Sequence, residues 1–494
     1  MTNNFSPQKI IKDIANVAAK QKLDVYLVGG YLRDRLLKLP FAGEIDFSVI
    51  GNAPLFAQAV ADHLKLNKSI QIFQRFGTAH LQAGEISLEF AGARKESYDE
   101  HSRNPQVEPA TFEEDIARRD FTINTLAANV HHPAKIIDLF NGRDDLKKKI
   151  IRTPLEPEKT FHDDPLRILR AIRFAAKFKF NIERKTAEAL KTYRERLKIV
   201  ARERINDEFF KILACDPPSL GLHLLFISGV LEIIFPEIAA MAGVEPIGQF
   251  QHKDVLYHSF LVVDKVAEQT ERLDLRFAAL VHDIGKPKTK RFDPENGWTF
   301  HGHEHLGERM IQSFRKNYQL PEDLIIKTSH LVRLHMRPLA LQDEGVTDSA
   351  IRRLVVQAGE QVDDLFLLCR ADITSGNKNR VMQYLESFDR MVERIDEIER
   401  KDELRRFQSP IRGDEIMEYT GLPEGPRIGL IKALIEEAIL EGTIEFSSAA
   451  AKKILDEVIK TVESLPDDQV LGALRKIMRA RADGIEPPIS RQEG

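Results

Sequence analysis

The order of apolar and polar positions divides the chain into two parts with different predicted structure. Near the N-terminus, short apolar or alternating segments are typical of β-strands, and a segment with helical spacing separates the first two. The predicted strands are residues 23–28, 44–50 and 85–90, and the predicted helix is residues 31–38. From about Asp163 onward helical periodicity dominates, interrupted by a Pro-, Asn- and Gly-rich turn predicted at 294–298. The pattern therefore predicts an α+β head followed by a mostly helical body.

Length and composition fit a globular protein with several domains. The 494 residues correspond to about two to four domains, and 43% apolar with 30% charged residues can supply several cores. The formal net charge is −4, so any RNA binding has to use local basic surface rather than overall charge. One candidate is a C-terminal basic stripe, for which a solvated helix face is the alternative. The stripe consists of Arg475, Lys476, Arg479 and Arg481.

The sequence predicts a cytoplasmic protein. Only Cys215 and Cys369 are present, far apart, so a disulfide scaffold is not expected and a reducing compartment fits. The N-terminus lacks the basic and apolar regions of a signal peptide. No apolar run approaches the roughly 18 residues that a membrane span requires, so no membrane partner is expected. The sequence leaves the oligomeric state open.

A glycine pair at the end of the first predicted strand is a candidate for phosphate binding. In LVGGYLRD, Gly29 and Gly30 let the backbone approach a phosphate closely, and the following helix offers free N–H groups. Arg33 adds a charged fork that matches phosphate oxygens. An ordinary tight turn is the alternative, because strand–Gly–Gly–helix turns are common.

Three carboxylates lie on the next two predicted strands. In EIDFSVI the side chains alternate, so Glu44 and Asp46 share the face opposite Ile45 and Phe47, with Cα atoms about 6–7 Å apart. Glu89 lies on another strand, between two apolar residues that face away from it. Such a cluster can hold divalent metal ions between its oxygens. The alternative is that these carboxylates only lie on solvent-exposed faces of their strands and bind no metal.

The segment DDPLRILRAIRFAAKF predicts an amphipathic helix. It begins with acidic residues, carries Pro165 in its first turn and places apolar residues at helical spacing. Asp164 and Arg167 are three positions apart and are therefore predicted to share a helix face. The alternative is that the two side chains only form a surface ion pair, which is the usual role of an acidic and a basic residue at this spacing.

Histidines are concentrated in the second half of the chain. Eight of the fifteen lie between His252 and His335, and histidine is the commonest metal ligand. One His–Asp pair is adjacent on an otherwise apolar predicted helix, with a histidine upstream and an aspartate downstream. This concentration of histidines indicates a metal site.

Together these motifs resemble the class II tRNA nucleotidyltransferases (CCA-adding enzymes) and the bacterial poly(A) polymerases of the polymerase β superfamily. The matching pieces, in the family's order over about the first 215 residues, are VGGYLRD, EIDFSV, LEFAGAR, RRDFTINTLA, IRTPLEPEKTFHDDPLRILRAIRFAAKF and ARERINDEFFKIL. LVHDIGKP resembles the signature of the HD phosphohydrolase superfamily. The resemblance implies a polymerase β-like nucleotidyltransferase head, with a small mixed sheet and helices, before an all-α neck and body containing an HD domain.

The resemblance also implies roles for individual residues. Glu44 and Asp46, supported by Glu89, are expected to be catalytic and to bind Mg²⁺. Arg119, Asp120 and Asn124 are expected to read the ribose 2′-hydroxyl and support the nucleotide. The full set of expected nucleotide-binding residues is Gly29, Gly30, Arg33, Arg119, Asp120, Asn124, Asp164, Arg167 and Arg170. The family has Asp where this chain has Glu44, and usually Glu where it has Asp163.

The implied reaction is an in-line attack of an RNA 3′-hydroxyl on the α-phosphate of CTP or ATP, with pyrophosphate leaving. Two metal ions would stabilise the attacking and departing oxygens. Asp164 and Arg167 would act as a protein template. Cytosine and adenine each present an amino donor beside a ring-nitrogen acceptor, which Asp and Arg match, whereas uracil and guanine present the opposite order. The implied macromolecular partner is tRNA, through its 3′ end and acceptor arm.

Four domains are predicted, and the third carries the second metal site. They are a nucleotidyltransferase head (1–152), a helical neck and body with the template helix and an RNA-binding surface (153–250), an HD domain (251–385) and a C-terminal helical region (386–494). The resemblance implies that the HD domain binds a divalent transition metal through His258, His282, Asp283 and Asp372. His303, with either His330 or His335, is expected to bind a further metal. The alternative is a degenerate HD fold in which these residues only brace helices.

The sequence thus predicts CCA addition to tRNA, accompanied by an HD phosphohydrolase activity. One alternative is poly(A) or A-only addition, because these activities share the active-site motifs. Another is an HD phosphohydrolase whose head has lost catalysis and only holds RNA. Glu44 is the residue that keeps this last alternative open.

Overall fold

The computed structural model describes residues 5–97, 106–243, 254–341, 347–374, 378–402, 409–441 and 447–464, with the single positions 444, 466 and 469. The predicted basic stripe near the C-terminus lies outside these residues. The chain forms two compact units. The first comprises residues 1–244, 267–273 and 316–320, and the second comprises 245–266, 274–315 and 321–494.

A six-stranded mixed sheet forms the head of the first unit. The strands of the head are β1 (Val25–Val28), β2 (Glu44–Val49), β3 (Ile70–Phe73), β4 (Thr78–Ala83), β5 (Ile86–Gly92), β6 (Arg94–Ser97), β7 (Gln106–Pro109) and β8 (Ala127–Asn129). The sheet order is β3-β4-β5-β2-β1-β8, and β6 pairs with β7 separately. Only β2 and β5 are parallel among the neighbours in the six-stranded sheet; the other pairs are antiparallel.

The alternation predicted for the second strand is present in β2. Ile45 and Phe47 are at most 1% exposed, whereas Glu44 is exposed and Asp46 is partly buried. Phe47 stacks on Phe90 of β5, with ring centroids 5.0 Å apart. One face of the sheet is therefore an apolar core, and the opposite face is left for the carboxylates.

The helices of the first unit precede, separate and follow the strands of the head along the chain. They are α1 (Pro7–Gln21), α2 (Gly30–Leu36), α3 (Ala53–Leu64), α4 (Phe112–Ala117), α5 (Gly142–Lys148), α6 (Pro157–Asp163), α7 (Leu166–Phe178), α8 (Arg184–Tyr193), α9 (Arg202–Leu213), α10 (Pro218–Ile227), α11 (Val230–Ile234) and α12 (Pro236–Ala239). Short 3₁₀ segments lie at Gln74–Phe76, Thr122–Asn124 and Arg194–Ile199. A two-residue parallel pair joins β9 (Ile150–Ile151) to β10 (Asn181–Ile182).

The predicted template helix begins later than the sequence pattern indicates. Asp163 is the last residue of α6, and Asp164 has extended backbone angles, φ −134° and ψ 97°. Helix α7 starts only at Leu166, after Pro165. The reason is local, since a residue that precedes proline is pushed out of the α region. The prediction that Asp164 and Arg167 share a helix face is therefore wrong: Asp164 lies in the bend before the helix.

The second unit is helical over nearly all of its described residues. Its helices are α13 (Val255–Ala267), α14 (Leu273–Val281), α15 (Lys286–Thr289), α16 (His303–Tyr318), α17 (Glu322–Leu334), α18 (Arg337–Ala340), α19 (Asp348–Ala358), α20 (Val362–Asp372), α21 (Lys378–Asp402), α22 (Gly413–Thr420), α23 (Pro426–Leu440) and α24 (Ser448–Ser464). A 3₁₀ turn lies at Gly359–Gln361. Helices α22–α24 share a core that includes Ile416, Ile431 and Leu455.

A small hairpin interrupts the helices where the sequence predicts a turn. Strands β11 (Arg291–Asp293) and β12 (Gly297–Thr299) pair in antiparallel fashion, so Gly297 and Trp298 are in a strand rather than in the predicted loop. Cross-strand contact between Phe292 and Trp298, with ring centroids 5.3 Å apart, stabilises this short pairing. The predicted α+β head and the mostly helical body are confirmed, with the β11–β12 hairpin as a short β-structure within the body. No helix among the described residues is long and apolar enough to cross a membrane.

Candidate functional site

The three predicted carboxylates meet on the open face of the head sheet. Asp46 of β2 is directly opposite Glu89 of β5 in the parallel register, and Glu44 lies two residues earlier on the same face. One carboxylate oxygen from each of the three residues lies within 4.8 Å of the others. Carboxylate oxygens at this spacing form a donor set that suits a hard divalent cation such as Mg²⁺.

Electrostatics within the triad favour a bound cation. Burial, followed by the negative charge of Glu89, raises the pKa of Asp46 to about 6. Arg119 and Arg33 oppose this rise but do not cancel it. A positive ion between the carboxylates would remove the repulsion that causes the shift, which is the behaviour expected of a metal site.

The glycine turn lies directly against the carboxylates. Gly29 has φ +71°, which side chains rarely adopt, and a Cβ atom there would lie 3.3 Å from Arg119 Nη1 and 3.5 Å from Asp46 Oδ2. Only glycine combines this backbone conformation with such close approach of two charged groups. Arg33 donates from Nε to Asp34 at 2.7 Å and from Nη1 to Asn124 at 2.6 Å. These bonds fix its guanidinium beside the turn.

Asp120 is fully engaged by protein groups. One oxygen accepts from the backbone N–H of Phe121 and from the side-chain amide of Asn124, at 2.8 and 2.9 Å. The other accepts from Nε and Nη2 of Arg170, at 2.9 and 2.6 Å. Burial would raise the pKa of Asp120, but Arg170 outweighs it and holds that pKa at about 2. Four hydrogen bonds use the ordinary acceptor capacity of a carboxylate, so Asp120 is arranged to orient Arg170 and Asn124 rather than to bind a ribose hydroxyl.

The predicted template residues make other contacts in this conformation. Arg167 donates from Nη2 to the backbone carbonyl of Arg118 at 2.7 Å. Asp164 accepts from the backbone N–H of Leu166 at 3.2 Å, and its other oxygen lies 3.7 Å from a guanidinium nitrogen of Arg204. One N–H of Arg167 is thus used by the Arg118 carbonyl, and the other four N–H groups of its guanidinium remain for further partners.

A cleft of about 530 Å³ contains the triad, the glycine turn and much of the predicted nucleotide site. The cleft is also lined by basic side chains from α2, α7 and α9. Several of them are not among the residues predicted from the sequence motifs. The charged and polar lining residues include Arg33, Arg35, Glu44, Asp46, Glu89, Arg119, Asp120, Asn124, Arg170, Arg173, Lys177 and Lys211. The cleft thus has an acidic floor for a cation and basic walls for phosphates. The signal for Arg173 and Lys177 is the helical spacing of basic residues after Arg170.

The predicted HD ligands converge in the second unit, and the structure resolves them into two groups. His258, His282 and Asp372 form one group of possible ligand atoms, and Asp283, His303 and His335 form the other. Asp283 also connects them, because its Oδ2 lies 3.3 Å from His282 Nε2 and its Oδ1 lies 3.3 Å from His303 Nε2. The arrangement has the form of two adjacent sites that share one carboxylate.

The sequence leaves two histidines as alternatives for the further metal, and the structure separates them. His335 belongs to the second group, with its Nε2 3.2 Å from that of His303. His330 instead contacts the side chain of Gln361, 2.6 Å from its Nδ1. Five residues correspond to about 140° around a helix, so the two histidines cannot share a face.

The sequence predicts His282 and Asp283 on a helix, but both residues lie just after the end of α14 at Val281.

The histidines are oriented so that their Nε2 atoms face the cluster. Nδ1 of His282, His303 and His335 lies 2.7–2.9 Å from the backbone carbonyls of Ala279, Phe300 and Val332, respectively. Carbonyls only accept, so each Nδ1 carries a proton, and each Nε2 is the ring nitrogen that can coordinate a metal ion in place of a proton. This second set of hydrogen bonds is the usual support of metal-binding imidazoles. Among the described residues, neither His282 Nε2 nor Asp283 Oδ1 has a hydrogen-bond partner, although both atoms are buried.

These observations fit a site for divalent transition metals. Nitrogen-rich donor sets with carboxylates suit such ions better than Mg²⁺. Burial would lower the pKa of His282, but the adjacent carboxylates of Asp283 and Asp372 raise it to about 10. The cluster therefore holds an excess of negative charge that a proton or a metal ion can neutralise. Gly285 permits the tight packing, since a Cβ there would lie 2.1 Å from the backbone oxygen of His303.

A pocket of about 320 Å³ opens on the first of the two metal-ligand groups. Its lining includes His258, Asp283 and Asp372 together with Lys286 and Phe300. Lys286 Nζ lies 2.6 Å from Asp283 Oδ2. The metal-ligand pattern does not identify this lysine, although its position three residues after Asp283 in HDIGK places it on the same side of the turn. It supplies a positive charge at the mouth of the pocket.

Comparison with known proteins follows the same division of the chain. A family profile described as "Poly A polymerase head domain" matches residues 25–152. Profiles described as "Probable RNA and SrmB- binding site of polymerase A" and "HD domain" match residues 179–241 and 255–377.

Three curated relatives match most of the chain. An A-adding tRNA nucleotidyltransferase of Deinococcus radiodurans is 29% identical and covers 85% of this chain and 92% of its own. A CC-adding tRNA nucleotidyltransferase of Thermus thermophilus is 30% identical, with 85% and 91% covered. A multifunctional CCA protein of Alcanivorax borkumensis is 31% identical, with 71% and 84% covered.

A solved structure has the same fold. The crystal structure of a tRNA nucleotidyltransferase with a primer tRNA and an incoming ATP analog superposes with a TM-score of 0.55 at 27% identity, covering 77% of this chain and 99% of that one. The cleft with its carboxylate floor therefore belongs to a nucleotidyltransferase. The chain is a member of the family of CCA-adding tRNA nucleotidyltransferases, which includes A-adding and CC-adding enzymes. The resemblance recognised in the sequence is confirmed.

Proposed function

We propose that this enzyme adds C, C and A in turn to the 3′ end of tRNA, using CTP and ATP. The observation that carries the proposal is the contact between the carboxylate triad and the glycine turn, where Asp46 Oδ2 lies within 3.5 Å of the position that a Gly29 Cβ would occupy. A triphosphate held at that turn has its α-phosphate beside the carboxylates. The named relatives use the same family fold for CCA, CC or A addition. Its place of action is the cytoplasm.

The chain's own residues supply positioning and charge. Gly29, Gly30 and Arg33 hold the triphosphate, and Asp46, with Glu44 and Glu89, holds Mg²⁺. Arg119 and Asn124 support the ribose and the rest of the nucleotide. When bound, Mg²⁺ supplies charge stabilisation at the attacking and leaving oxygens. Positioning of the 3′-hydroxyl in line with the α-phosphate is the remaining requirement, and a rigid site provides it by holding both reactants.

Base selection is assigned to Asp164 and Arg167, with Arg170 supporting the nucleotide. Asp164 accepts from the amino group of cytosine or adenine, and Arg167 donates to the adjacent ring nitrogen. Asp120 fixes Arg170 through two hydrogen bonds and therefore acts as a positioning residue. Helix α7 consequently joins base selection to the nucleotide site in the head.

A-only addition is a second candidate, favoured by the A-adding relative at 29% identity over 433 residues. The same carboxylates, glycine turn and template pair serve either reaction, because A and C present the same order of donor and acceptor. The two candidate functions differ in the tRNA 3′ end that the enzyme accepts as substrate, and not in the active-site residues. Poly(A) addition is a further form of the same chemistry.

We assign a phosphohydrolase activity with divalent transition metals to the HD site, acting on phosphate monoesters or cyclic phosphates. The ligands are His258, His282, Asp283 and Asp372, and His303 with His335 complete a second metal position. A metal ion bound there supplies an activated water. Lys286 binds a phosphate oxygen at the pocket mouth. The proposed domain bounds remain 1–152, 153–250, 251–385 and 386–494.

Separate inactivation of the two sites tests the proposal. Asp46→Ala is expected to eliminate nucleotide addition to tRNA that lacks CCA, while hydrolysis with Mn²⁺, Ni²⁺ or Co²⁺ persists. Asp283→Ala is expected to do the reverse. Loss of both activities in a variant with unchanged circular dichroism contradicts two independent sites.

Glu44→Asp tests whether the departure from the family's aspartate weakens the head. If the backbone is adapted to Glu44, the shorter side chain is expected to slow addition, because Mg²⁺ requires near-octahedral geometry. A large acceleration instead marks a weakened wild-type site. Absence of addition by both proteins with Mg²⁺ or Mn²⁺ supports an HD phosphohydrolase with a non-catalytic head.

A further inference from the structure

The β11–β12 hairpin presents one basic and aromatic face. In the antiparallel register, Phe292 is directly opposite Trp298, so the two side chains share a face. Continuing the alternation adds Lys290 and Phe300 to that face. Two contacts agree with this placement: Lys290 Nζ lies 4.1 Å from the centroid of the Trp298 ring, and the rings of Phe292 and Trp298 lie 5.3 Å apart.

This face leads to the HD pocket. Phe300 follows β12 directly and is one of the residues that line the pocket beside His258 and Asp372. Lys286 Nζ lies 5.7 Å from the centroid of the Phe300 ring and 2.6 Å from Asp283. Aromatic side chains are therefore present from the exposed end of this face, where Phe292 is 37% exposed, to Phe300 at the edge of the metal-ligand cluster.

Positive charge is concentrated at the pocket end of the hairpin. The run KPKTKR at 286–291 carries four cations and no anion. The nearest acidic residues of the hairpin, Asp293 and Glu295, lie at its opposite tip. Asp293 is used there to close the turn, accepting from the backbone N–H groups of Glu295 and Asn296. Cations beside aromatic rings are the combination that binds single-stranded nucleic acid, through phosphates and stacked bases.

We propose that the hairpin is a binding platform for single-stranded RNA and directs the terminal phosphate of the strand into the HD pocket. This proposal rests on the HD phosphohydrolase activity proposed above. It adds that the substrate of that activity is the phosphorylated end of an RNA strand. Bases stack on Phe300 and Trp298, with Phe292 at the outer edge. Lys286 binds the terminal phosphate, and Lys290 lies beside the backbone.

The spacing of the rings sets the length of strand that the platform recognises. Trp298 and Phe300 are two strand residues apart, which is about 6–7 Å. That separation accommodates bases of successive nucleotides in an extended strand. Affinity is therefore expected to rise from a mononucleotide to a di- or trinucleotide and then to level off. A site that takes only free nucleotides has no such dependence.

The chain contains a single tryptophan, Trp298, which makes the test specific to this surface. The full-length protein is titrated with the trinucleotide CCA bearing a 3′-phosphate, and tryptophan fluorescence is recorded. Saturable quenching is expected, with affinity at least tenfold higher than for 3′-AMP, since each stacked base contributes measurably. Glycerol 2-phosphate, which has no base, is expected to cause no quenching.

Variants assign the signal to the platform. Phe292→Leu is expected to weaken binding of CCA with and without the 3′-phosphate, whereas Lys286→Met weakens only the phosphorylated form. Tyr419→Leu, which removes a 44% exposed aromatic residue of α22, is the matched control and is expected to have no effect. Absence of quenching by the trinucleotide, or equal affinity for 3′-AMP, overturns the platform.

The same protein distinguishes failure of the platform from failure of the HD activity. Hydrolysis of glycerol 2-phosphate with Mn²⁺ but no quenching by RNA rejects the platform alone. Quenching by RNA without hydrolysis of any phosphate ester rejects the HD activity and leaves the platform as a binding surface.

Discussion

One carboxylate oxygen of Asp120 accepts hydrogen bonds from both Nε and Nη2 of Arg170, at 2.9 and 2.6 Å. This pair connects the loop after α4 with helix α7, and the same carboxylate also holds Asn124, which in turn accepts from Arg33. One buried carboxylate thus connects helix α7 with Arg33 beside the glycine turn, through Asn124. The position of helix α7 relative to the glycine turn depends on this hydrogen-bond network.

Asp120→Ala is expected to lower the free energy of unfolding by about 2 kcal/mol, because it removes the buried carboxylate that accepts from Asn124 and Arg170, while the 35% exposure of the Arg170 side chain to water limits the loss. The pKa of Asp120 is about 2, below its ordinary value of 3.8, so the wild-type contribution to stability is complete above about pH 5 and is lost as the pH falls toward 2. Urea denaturation at pH 7 measures the difference.

Glu188→Ala is the control for this prediction. It removes an exposed i,i+4 pair with Arg184 on α8, where a solvated ion pair contributes little. The control is expected to keep the wild-type urea midpoint. An Asp120→Ala protein as stable as the control would contradict the role given to the network.

Mg²⁺ binding in the head is expected to weaken sharply below pH 6. Burial and Glu89 raise the pKa of Asp46 to about 6 in the metal-free protein, and a cation binds only the ionised carboxylate. The apparent Kd for Mg²⁺ should therefore rise about tenfold per pH unit below 6 and be nearly constant above 7. Calorimetric titration between pH 5 and 8 measures it, and a Kd independent of pH argues against Asp46 as a ligand.

Arg167→Ala is expected to relax base selection. A hydrogen-bonded contact to a base edge contributes about 1–3 kcal/mol, so discrimination against UTP and GTP should fall about tenfold or more while correct addition slows. Single-turnover addition with each of the four nucleotides measures the ratio. Arg184→Ala, on the exposed surface of α8, serves as the control. Unchanged preference for CTP and ATP in Arg167→Ala rejects the template role.

The HD site is expected to hold two transition-metal ions per chain, and Asp283 is expected to serve both. Its two oxygens lie next to ligands of the two groups, at 3.3 Å from His282 and from His303. After loading with Mn²⁺ and gel filtration, elemental analysis should give two ions for wild type and about one for His335→Ala. Asp283→Ala should retain none. Two ions in His335→Ala would show that the second group is not a metal site.

The sequence identifies the site residues better than it predicts their geometry. Alternation in EIDFSVI is enough to place Glu44 and Asp46 together, because strand side chains alternate whatever the surrounding fold. By contrast, the displacement of Asp164 from the helix follows from Pro165, a local effect that the helical spacing of apolar residues conceals.

Contacts between distant segments are the part that the sequence does not reveal. The saturation of Asp120 depends on Arg170, fifty residues away, and no spacing rule predicts that pairing. The choice of His335 over His330 likewise depends on which face of α17 meets His303. The hairpin at 291–299 has strands of only three residues each, so the Pro, Asn and Gly residues of its turn dominate the sequence pattern.

The most direct measurement of the central claim uses three forms of one tRNA, ending before CCA, after C and after CC. Each is incubated with CTP, with ATP or with both, and the products are sized at single-nucleotide resolution. Complete CCA addition predicts two residues added to the first form with CTP alone, three with both nucleotides, and a single A added to the form ending in CC. Extension only of the form ending in CC, addition that stops after two C residues, or an unlimited run of A, would contradict the account.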